Sequence, residues 1–223
     1  MERNRQETGQ EKRGKFIAFE GIDGSGKSTQ IQRLADRLRK EGVDFYTTAE
    51  PTDAPIGTMI RQILRGEMKT DPKVIAALFA ADRLDHLLNE ASGIALKVEK
   101  GMTVVTDRYY FSSYAYHSVD MPMEWVMQAN AQSAEILRPT VTVFIDVEPD
   151  TAMERIIRNR EQQELFEKKS RLVEVRKKYF EAFERLKDVE HVVIVDGNGS
   201  PEKTADAVWK EIRTLYTGLD MII

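Results

Sequence analysis

An α/β fold with a central, mostly parallel sheet of about five strands flanked by helices is predicted from three features of this sequence. Apolar, strand-like runs recur at 16–19, 43–48, 103–106, 140–147 and 191–195. Longer segments with helical periodicity separate them, and alternation of this kind builds βαβ units. A glycine-rich turn joins the first apolar run to the first helical segment, where open α/β sheets bind their ligands.

Each element has its own signal. Phe16-Ile17-Ala18-Phe19 is a continuous apolar run, the pattern of a strand covered on both faces. After the turn, Ile31, Leu34, Ala35 and Leu38 recur at helical spacing among Gln30, Gln32, Arg33, Asp36 and Arg37. Pro55 opens a helix to Leu64. Asp71-Pro72 pairs an N-cap with a first-turn proline and opens a helix expected to reach about Lys100. Ile75, Leu78, Phe79, Ala81 and Leu84 give it an apolar face. A further helix is expected over 121–137, ended by Pro139, and another begins at Pro149-Asp150.

The chain of 223 residues suits one domain, expected over 15–218. Residues 1–14 are polar, mixed in charge and without an apolar h-region, and read as a flexible leader. Hydrophobic residues, at 41%, suffice for a substantial core, and 31% charged residues give a well-solvated surface. A formal net charge of −4 argues against nucleic acid or an acidic membrane as the main partner. With no cysteine, a disulfide framework and a Cys-based metal site are both excluded. No apolar run approaches a membrane span, and a cytoplasmic location is expected.

The turn Gly21-Ile22-Asp23-Gly24-Ser25-Gly26-Lys27-Ser28-Thr29 matches G-x-x-x-x-G-K-[ST] in full, between a strand and a helix as that motif requires. A P-loop NTPase fold follows. Glycines let backbone N–H groups converge on phosphate oxygens, and the helix N-terminus adds a favourable field. Lys27 is expected to reach the β- and γ-phosphates of ATP, and Ser28 to offer its hydroxyl to Mg²⁺. The strand over 103–106 ends in Asp107, either the acid facing the metal or a cap of the next turn. Arg108 would point into the same crevice. Arg83 follows Phe79 by one helical turn, so the pair can present a flat ring and a cation to a base, although spacing alone also suits Phe79 as ordinary core.

Charge is dense from Arg155 to Arg176, and a solvated helical face accounts for most of it. Arg158-Asn159-Arg160-Glu161-Gln162-Gln163, however, breaks the apolar pattern after Ile157 and reads as a mobile lid at about 158–168 that closes over phosphates. His86, His117 and His191 lack metal-ligand spacing, and Trp125 and Trp209 read as packing residues. No Asn-Lys-x-Asp box is present, which disfavours a GTPase.

Together these segments resemble the thymidylate kinase family, P-loop enzymes that phosphorylate dTMP to dTDP. The resemblance runs from Lys15 to about Lys210 and rests on Phe19-Glu20 with the P-loop, Glu50-Pro51-Thr52 with Pro55-Ile56-Gly57, Leu78-Phe79-Ala80-Ala81-Asp82-Arg83, Asp107-Arg108-Tyr109, Ser112-Ser113-Tyr114-Ala115-Tyr116, and Phe144-Ile145-Asp146-Val147. It implies that Asp23 and Pro51 contact the acceptor side and that Phe79 stacks on thymine. Arg83 and Ser113 would bond the base edge, and Tyr116 would lie against the sugar and disfavour a 2′-hydroxyl. Arg108 would hold the acceptor phosphate beside Asp107. Ser25, where some members carry a basic residue, directs the catalytic arginines to the lid, as Arg158 or Arg160. Residues 196–201 would border adenine. The family is typically homodimeric, and the apolar helical faces at 75–88 and 126–137 suit either that interface or internal core.

One departure stands out: the family often reads Arg-Glu-Pro where this chain has Ala49-Glu50-Pro51. Losing a charged hydrogen bond to a dianion costs about 1.5–3 kcal/mol. Arg108, Arg61 or a lid residue compensates, or the acceptor is another deoxynucleoside monophosphate or a nucleoside. A nucleotide-binding regulatory homologue without turnover is the remaining alternative, disfavoured by the intact set Lys27, Ser28, Asp107 and Arg108. Lys27→Ala is expected to abolish nearly all turnover while leaving the circular dichroism spectrum unchanged; surviving activity would refute the P-loop assignment.

Overall fold

In the computed structural model, residues 13–156 and 162–216 are described, the side chains of 162–168 excepted. The elements are β1 (Phe16–Glu20), α1 (Lys27–Lys40), β2 (Phe45–Ala49), α2 (Pro55–Leu64), α3 (Pro72–Leu88), α4 (Ile94–Glu99), β3 (Thr103–Asp107), α5 (Tyr110–His117), α6 (Met123–Ala129), α7 (Ala131–Ile136), β4 (Val141–Asp146), α8 (Pro149–Ile156), α9 (Gln162–Leu186), β5 (Val192–Asp196) and α10 (Pro201–Ile212). All strands pair in parallel, in the order β2-β3-β1-β4-β5. β1 is therefore central, with β3 and β4 beside it, and the loops after β1 and β3 converge at the carboxyl edge where such sheets bind ligands. All five strands fall where the apolar runs predict them.

The burial pattern explains why those runs are so legible. β1 is buried at every position, and β3 and β4 at all but their last residue, so all three are mostly apolar on both faces. α1 buries Ile31, Leu34, Ala35 and Leu38, and ends in Arg37, Arg39 and Lys40, which complement its dipole. Asp71 caps α3 by accepting from the Lys73 N–H at 2.8 Å, with Pro72 in the first turn.

Two expected helices are broken, each at an asparagine. The segment 71–100 divides into α3 and α4, because the Asn89 Oδ1 accepts from the Ala91 and Ser92 N–H groups at 3.1 Å each. The segment 121–137 divides into α6 and α7 at Asn130, whose side-chain amide donates to the Val126 carbonyl at 2.8 Å. In both cases a short polar side chain competes with the helix for backbone partners. Trp125 is also corrected: it is 39% exposed rather than packed inside. Trp209 does pack against the core, with the Arg37 guanidinium 5.7 Å from its ring centroid.

Val126 and Leu137 are buried, so that face of α6 and α7 belongs to the protein's own core. The exposed apolar side chains include Met59, Leu64, Met68, Val74 and Leu88, on α2, α3 and the segments that adjoin them, besides others such as Trp125 and Val173. Gly14 is already held by its neighbours, its N–H donating to the Val98 carbonyl at 2.8 Å. No helix among the described residues is long and apolar enough to cross a membrane.

Phe144 ties α9 to the sheet. Its ring is fully buried and meets Tyr179 at 4.8 Å and Phe183 at 5.0 Å between centroids. Phe144→Ala is expected to cost about 3–5 kcal/mol of stability. A urea titration checks this; a loss under 1 kcal/mol (roughly a fivefold change in the folding equilibrium) would contradict the packing described.

Candidate active site

The P-loop leaves β1 and enters α1 through two glycines whose backbone conformation strongly favours glycine. Gly24 has φ +79°, and a Cβ there would stand 2.5 Å from the Ala152 carbonyl oxygen, so α8 packs directly on the loop backbone. Gly26, with φ 90°, ends the loop before Lys27 opens α1. Ile22 anchors the loop in the core, Ser25 is buried, and Ser28 and Thr29 are exposed in the first turn of α1. The Lys27 Nζ donates back to the Gly21 and Ile22 carbonyls at 3.1 and 3.3 Å. Burial, with Arg108 adding repulsion, pulls the Lys27 pKa down to about 8 against the pull of Asp107, Asp23 and Glu20.

At the end of β3, Asp107 accepts from the Ser28 hydroxyl at 3.0 Å through Oδ2. Its other oxygen, Oδ1, is buried without a hydrogen-bond partner among the described residues. An orphaned carboxylate oxygen beside a hydroxyl is a hard-oxygen donor set, which fits Mg²⁺.

The next residue, Arg108, adopts φ 72°, the left-handed region a side chain rarely occupies. That turn sends its guanidinium back over the P-loop. Nη2 donates to Asp23 Oδ1 at 2.6 Å, and Nη1 donates to the Ser112 hydroxyl at 3.0 Å and the Gly21 carbonyl at 3.3 Å. The guanidinium lies 4.8 Å from the centroid of the Tyr116 ring, and the Tyr116 hydroxyl donates to Asp23 Oδ1 at 3.0 Å. Burial works against the charge on Arg108, but Tyr116, Tyr179, Asp23 and Glu20 outweigh it and hold its pKa well above the ordinary value.

Deeper in, α3 clamps the loop after β2. Asp82 accepts from Thr52 twice, from its N–H at 2.8 Å and its hydroxyl at 2.6 Å. Arg83 donates to Glu50 Oε2 from Nε at 2.8 Å and Nη2 at 2.6 Å, both residues being fully buried. One turn on, His86 Nδ1 meets Glu50 Oε1 at 3.2 Å. Nη1 of Arg83 donates to the Ser113 hydroxyl at 3.0 Å and to Asn130 Oδ1. Asn130 therefore breaks the helix where it holds the arginine.

Asp23, Pro51, Phe79, Arg83, Arg108, Ser113 and Tyr116, all candidates from the sequence, line one cavity of about 500 Å³. Phe79 is part of its wall rather than of the core, and its ring faces His117 at 5.2 Å and 54°. Burial, helped by Arg83, pulls the His117 pKa down to about 4, so this wall is uncharged near neutral pH. Arg158 and Arg160 lie outside the described residues, and α9 begins within the segment expected to form the lid.

Two residues without a specific signal in the sequence, Arg155 and Arg171, adjoin the site, and Arg61, offered there as a substitute for the family arginine, is otherwise engaged. Arg155, counted there with a solvated face, donates to the Gly197 carbonyl at 2.8 Å and to Gly24 and Ser25 at 3.4 and 3.5 Å, joining the P-loop to the segment 196–201. Arg171, paired with Asp120 at 2.8 Å, borders the cavity mouth. Arg61 is committed to the loop after β2, donating to the Pro51 and Thr52 carbonyls at 3.0 and 2.6 Å. Ala49, where the family arginine would stand, borders a second cavity of about 620 Å³ that it shares with Ser28 and Asp107.

A family model described as thymidylate kinase matches residues 19–208. A protein of Caldivirga maquilingensis named "Probable thymidylate kinase" is 43% identical over 155 residues, 69% of this chain and 72% of its own. A protein of Methanocaldococcus jannaschii with the same name is 36% identical over 197 residues, 88% of this chain and 93% of its own. A "Thymidylate kinase" of Symbiobacterium thermophilum is 36% identical over 206 residues, 90% of this chain and 91% of its own.

The position of Lys27 has a pH consequence. With its pKa near 8, the side chain is partly neutral above that pH, and an arriving triphosphate recharges it. At pH 8.5 nucleotide binding is expected to take up roughly three-quarters of a proton, measured by calorimetry in buffers of different ionisation heat. The uptake should vanish in Lys27→Ala. Equal uptake in both proteins would contradict the assignment.

Proposed function

The chain belongs to the thymidylate kinase family, and we propose that it transfers the γ-phosphoryl group of ATP to dTMP, giving dTDP and ADP. One observation carries this reading. Arg108 spans the seam between donor loop and acceptor cavity, bonded to Gly21 on one side and to Asp23 in the cavity wall on the other. A phosphoryl group in flight between two nucleotides crosses that seam.

In this mechanism the acceptor phosphate attacks in line and no covalent enzyme intermediate forms. The protein's contribution is to position the reactants and neutralise charge. Backbone N–H groups of Gly21 to Thr29 cradle the triphosphate, and Lys27 swings from the Gly21 and Ile22 carbonyls to its β- and γ-oxygens. Phe79 stacks on thymine, with Arg83 and Ser113 at the base edge. Arg83 is donor-only, so it meets a carbonyl oxygen well and an exocyclic amino group badly. Tyr116, braced by Asp23, lies against the sugar. Arg108 turns from Asp23 toward the acceptor phosphate, with Asp107 adjoining. Ser28 and Asp107 would hold Mg²⁺, which when bound neutralises charge on the β- and γ-phosphates. Arg155 and residues 196–201 border the adenine side, and Arg158 and Arg160 complete the set from the lid.

With Ala49 unable to help and Arg61 engaged by loop carbonyls, the acceptor phosphate depends on Arg108 more heavily than in members carrying the arginine. We assign the kinase domain to 15–218, preceded by a leader over 1–14, in a cytoplasmic protein with neither nucleic acid nor membrane as a partner. The exposed apolar residues of α2 and α3 favour a homodimer through that face.

Purified protein is expected to release ADP from MgATP with dTMP and to prefer it to dUMP, CMP and AMP by roughly tenfold or more in kcat/KM. Equal rates with all four acceptors would rule out the base-reading part of the proposal.

A further inference from the structure

Glu20, the last residue of β1, is fully buried. Its two oxygens accept four hydrogen bonds. Oε1 takes the Tyr109 N–H at 2.8 Å and the Ser112 N–H at 3.1 Å; Oε2 takes the Ser112 hydroxyl at 2.5 Å and the Tyr179 hydroxyl at 2.8 Å. Four donors on two oxygens suit the ionised carboxylate, which only accepts. Burial pushes its pKa up, and these donors together with the charge on Arg108 oppose that rise.

The donors surround one residue. Arg108 sits between Asp107 and Tyr109 in a left-handed conformation that persists only where its surroundings over-determine it. Its own N–H donates to the Phe19 carbonyl at 2.9 Å, and its carbonyl accepts from the Thr106 hydroxyl at 3.0 Å. Glu20 holds the following N–H. The Ser112 hydroxyl spends its one proton on Glu20, which leaves its oxygen to accept from Arg108 Nη1 at 3.0 Å. Backbone turn and guanidinium are thus both tied to the same carboxylate.

We propose that Glu20 is the positioning residue of Arg108, holding its strained turn through Tyr109 and aiming its guanidinium through Ser112 so that it meets the acceptor phosphate. Glu20 touches neither substrate. The inference rests on the assignment of Arg108 to that phosphate. A plain helix-capping role for Glu20 at the start of α5 predicts something different: lost stability with no selective effect on phosphate binding.

Thymidine and dTMP differ only in the phosphate, so calorimetric titration of each against the full-length chain separates the two roles. In Glu20→Gln, which keeps the shape but replaces one acceptor with a donor, the Kd for dTMP is expected to rise roughly tenfold or more. The Kd for thymidine should stay within about twofold, because the base contacts are untouched. Ser112→Ala removes the relay hydroxyl alone, and should weaken dTMP selectively by a smaller factor even if Glu20→Gln fails to fold. Equal weakening of both ligands, or no change in either, in a variant whose circular dichroism is native would overturn the proposal. Arg108→Ala identifies which premise failed. If it too leaves dTMP and thymidine equally affected, the phosphate role of Arg108 falls and this inference with it. If it weakens dTMP selectively while the Glu20 and Ser112 variants do not, only the positioning role is wrong.

Discussion

The parallel sheet delivers carboxylates to a single edge. Glu20, Asp107, Asp146 and Asp196 end β1, β3, β4 and β5, and Glu50 follows β2 directly. Like charges this close destabilise one another unless each is matched, and the matching organises the site. Asp146 is bonded by Arg176 Nε and Nη2 at 2.7 and 2.9 Å, bringing α9 to the edge. Glu50 takes Arg83 and His86 from α3. Glu20 takes the start of α5 together with Tyr179 of α9. Asp196 accepts from the Asn198 N–H at 2.9 Å. Asp107 differs, keeping one oxygen without a protein partner among the described residues. The carboxylate left incomplete is the one beside the P-loop serine, where a nucleotide kinase requires its cation.

This acidic edge also accounts for the arginines of the acceptor cavity. A guanidinium buried without a counter-charge is expensive, and Arg83 is tolerated because Glu50 pairs with it at both Nε and Nη2. Arg108 is bound to Asp23 at the mouth and, through Ser112, to Glu20 inside. Fixed in this way, both guanidinium groups are held in set directions at the cavity wall before any ligand arrives.

Much of this is legible in the sequence, for a physical reason. Strands covered on both faces are dominated by apolar residues, so β1, β3 and β4 read as apolar runs, and the P-loop sits where its chemistry requires, between a strand and a helix. The cavity residues become legible as a set through the family resemblance, since the one-turn spacing of Phe79 and Arg83 suits core as well as a base site and Ser113 has no local signal of its own. Pairings distant in sequence stayed hidden: Glu50 and Arg83 are 33 residues apart, and Glu20 and Tyr179 are 159 apart. Helical periodicity separates the faces of a helix but does not say what each face meets, which is why Arg155 reads as one of the solvated charges. Apolar spacing continues across both Asn89 and Asn130 and hides the breaks there, although an asparagine in mid-helix is itself a sign of a competing side chain.

The central claim is that carboxylates at the sheet edge hold Arg83 and Arg108 in position for a nucleoside monophosphate. Its most direct test is a crystal structure with dTMP and a non-hydrolysable MgATP analogue bound together. The account predicts the dTMP phosphate against the Arg108 guanidinium and the base against Phe79 and Arg83, while Glu50 still pairs with Arg83 and Glu20 still accepts from Tyr109 and Ser112. A structure with dTMP seated elsewhere, or with those carboxylates released while the arginines remain in place, would contradict it.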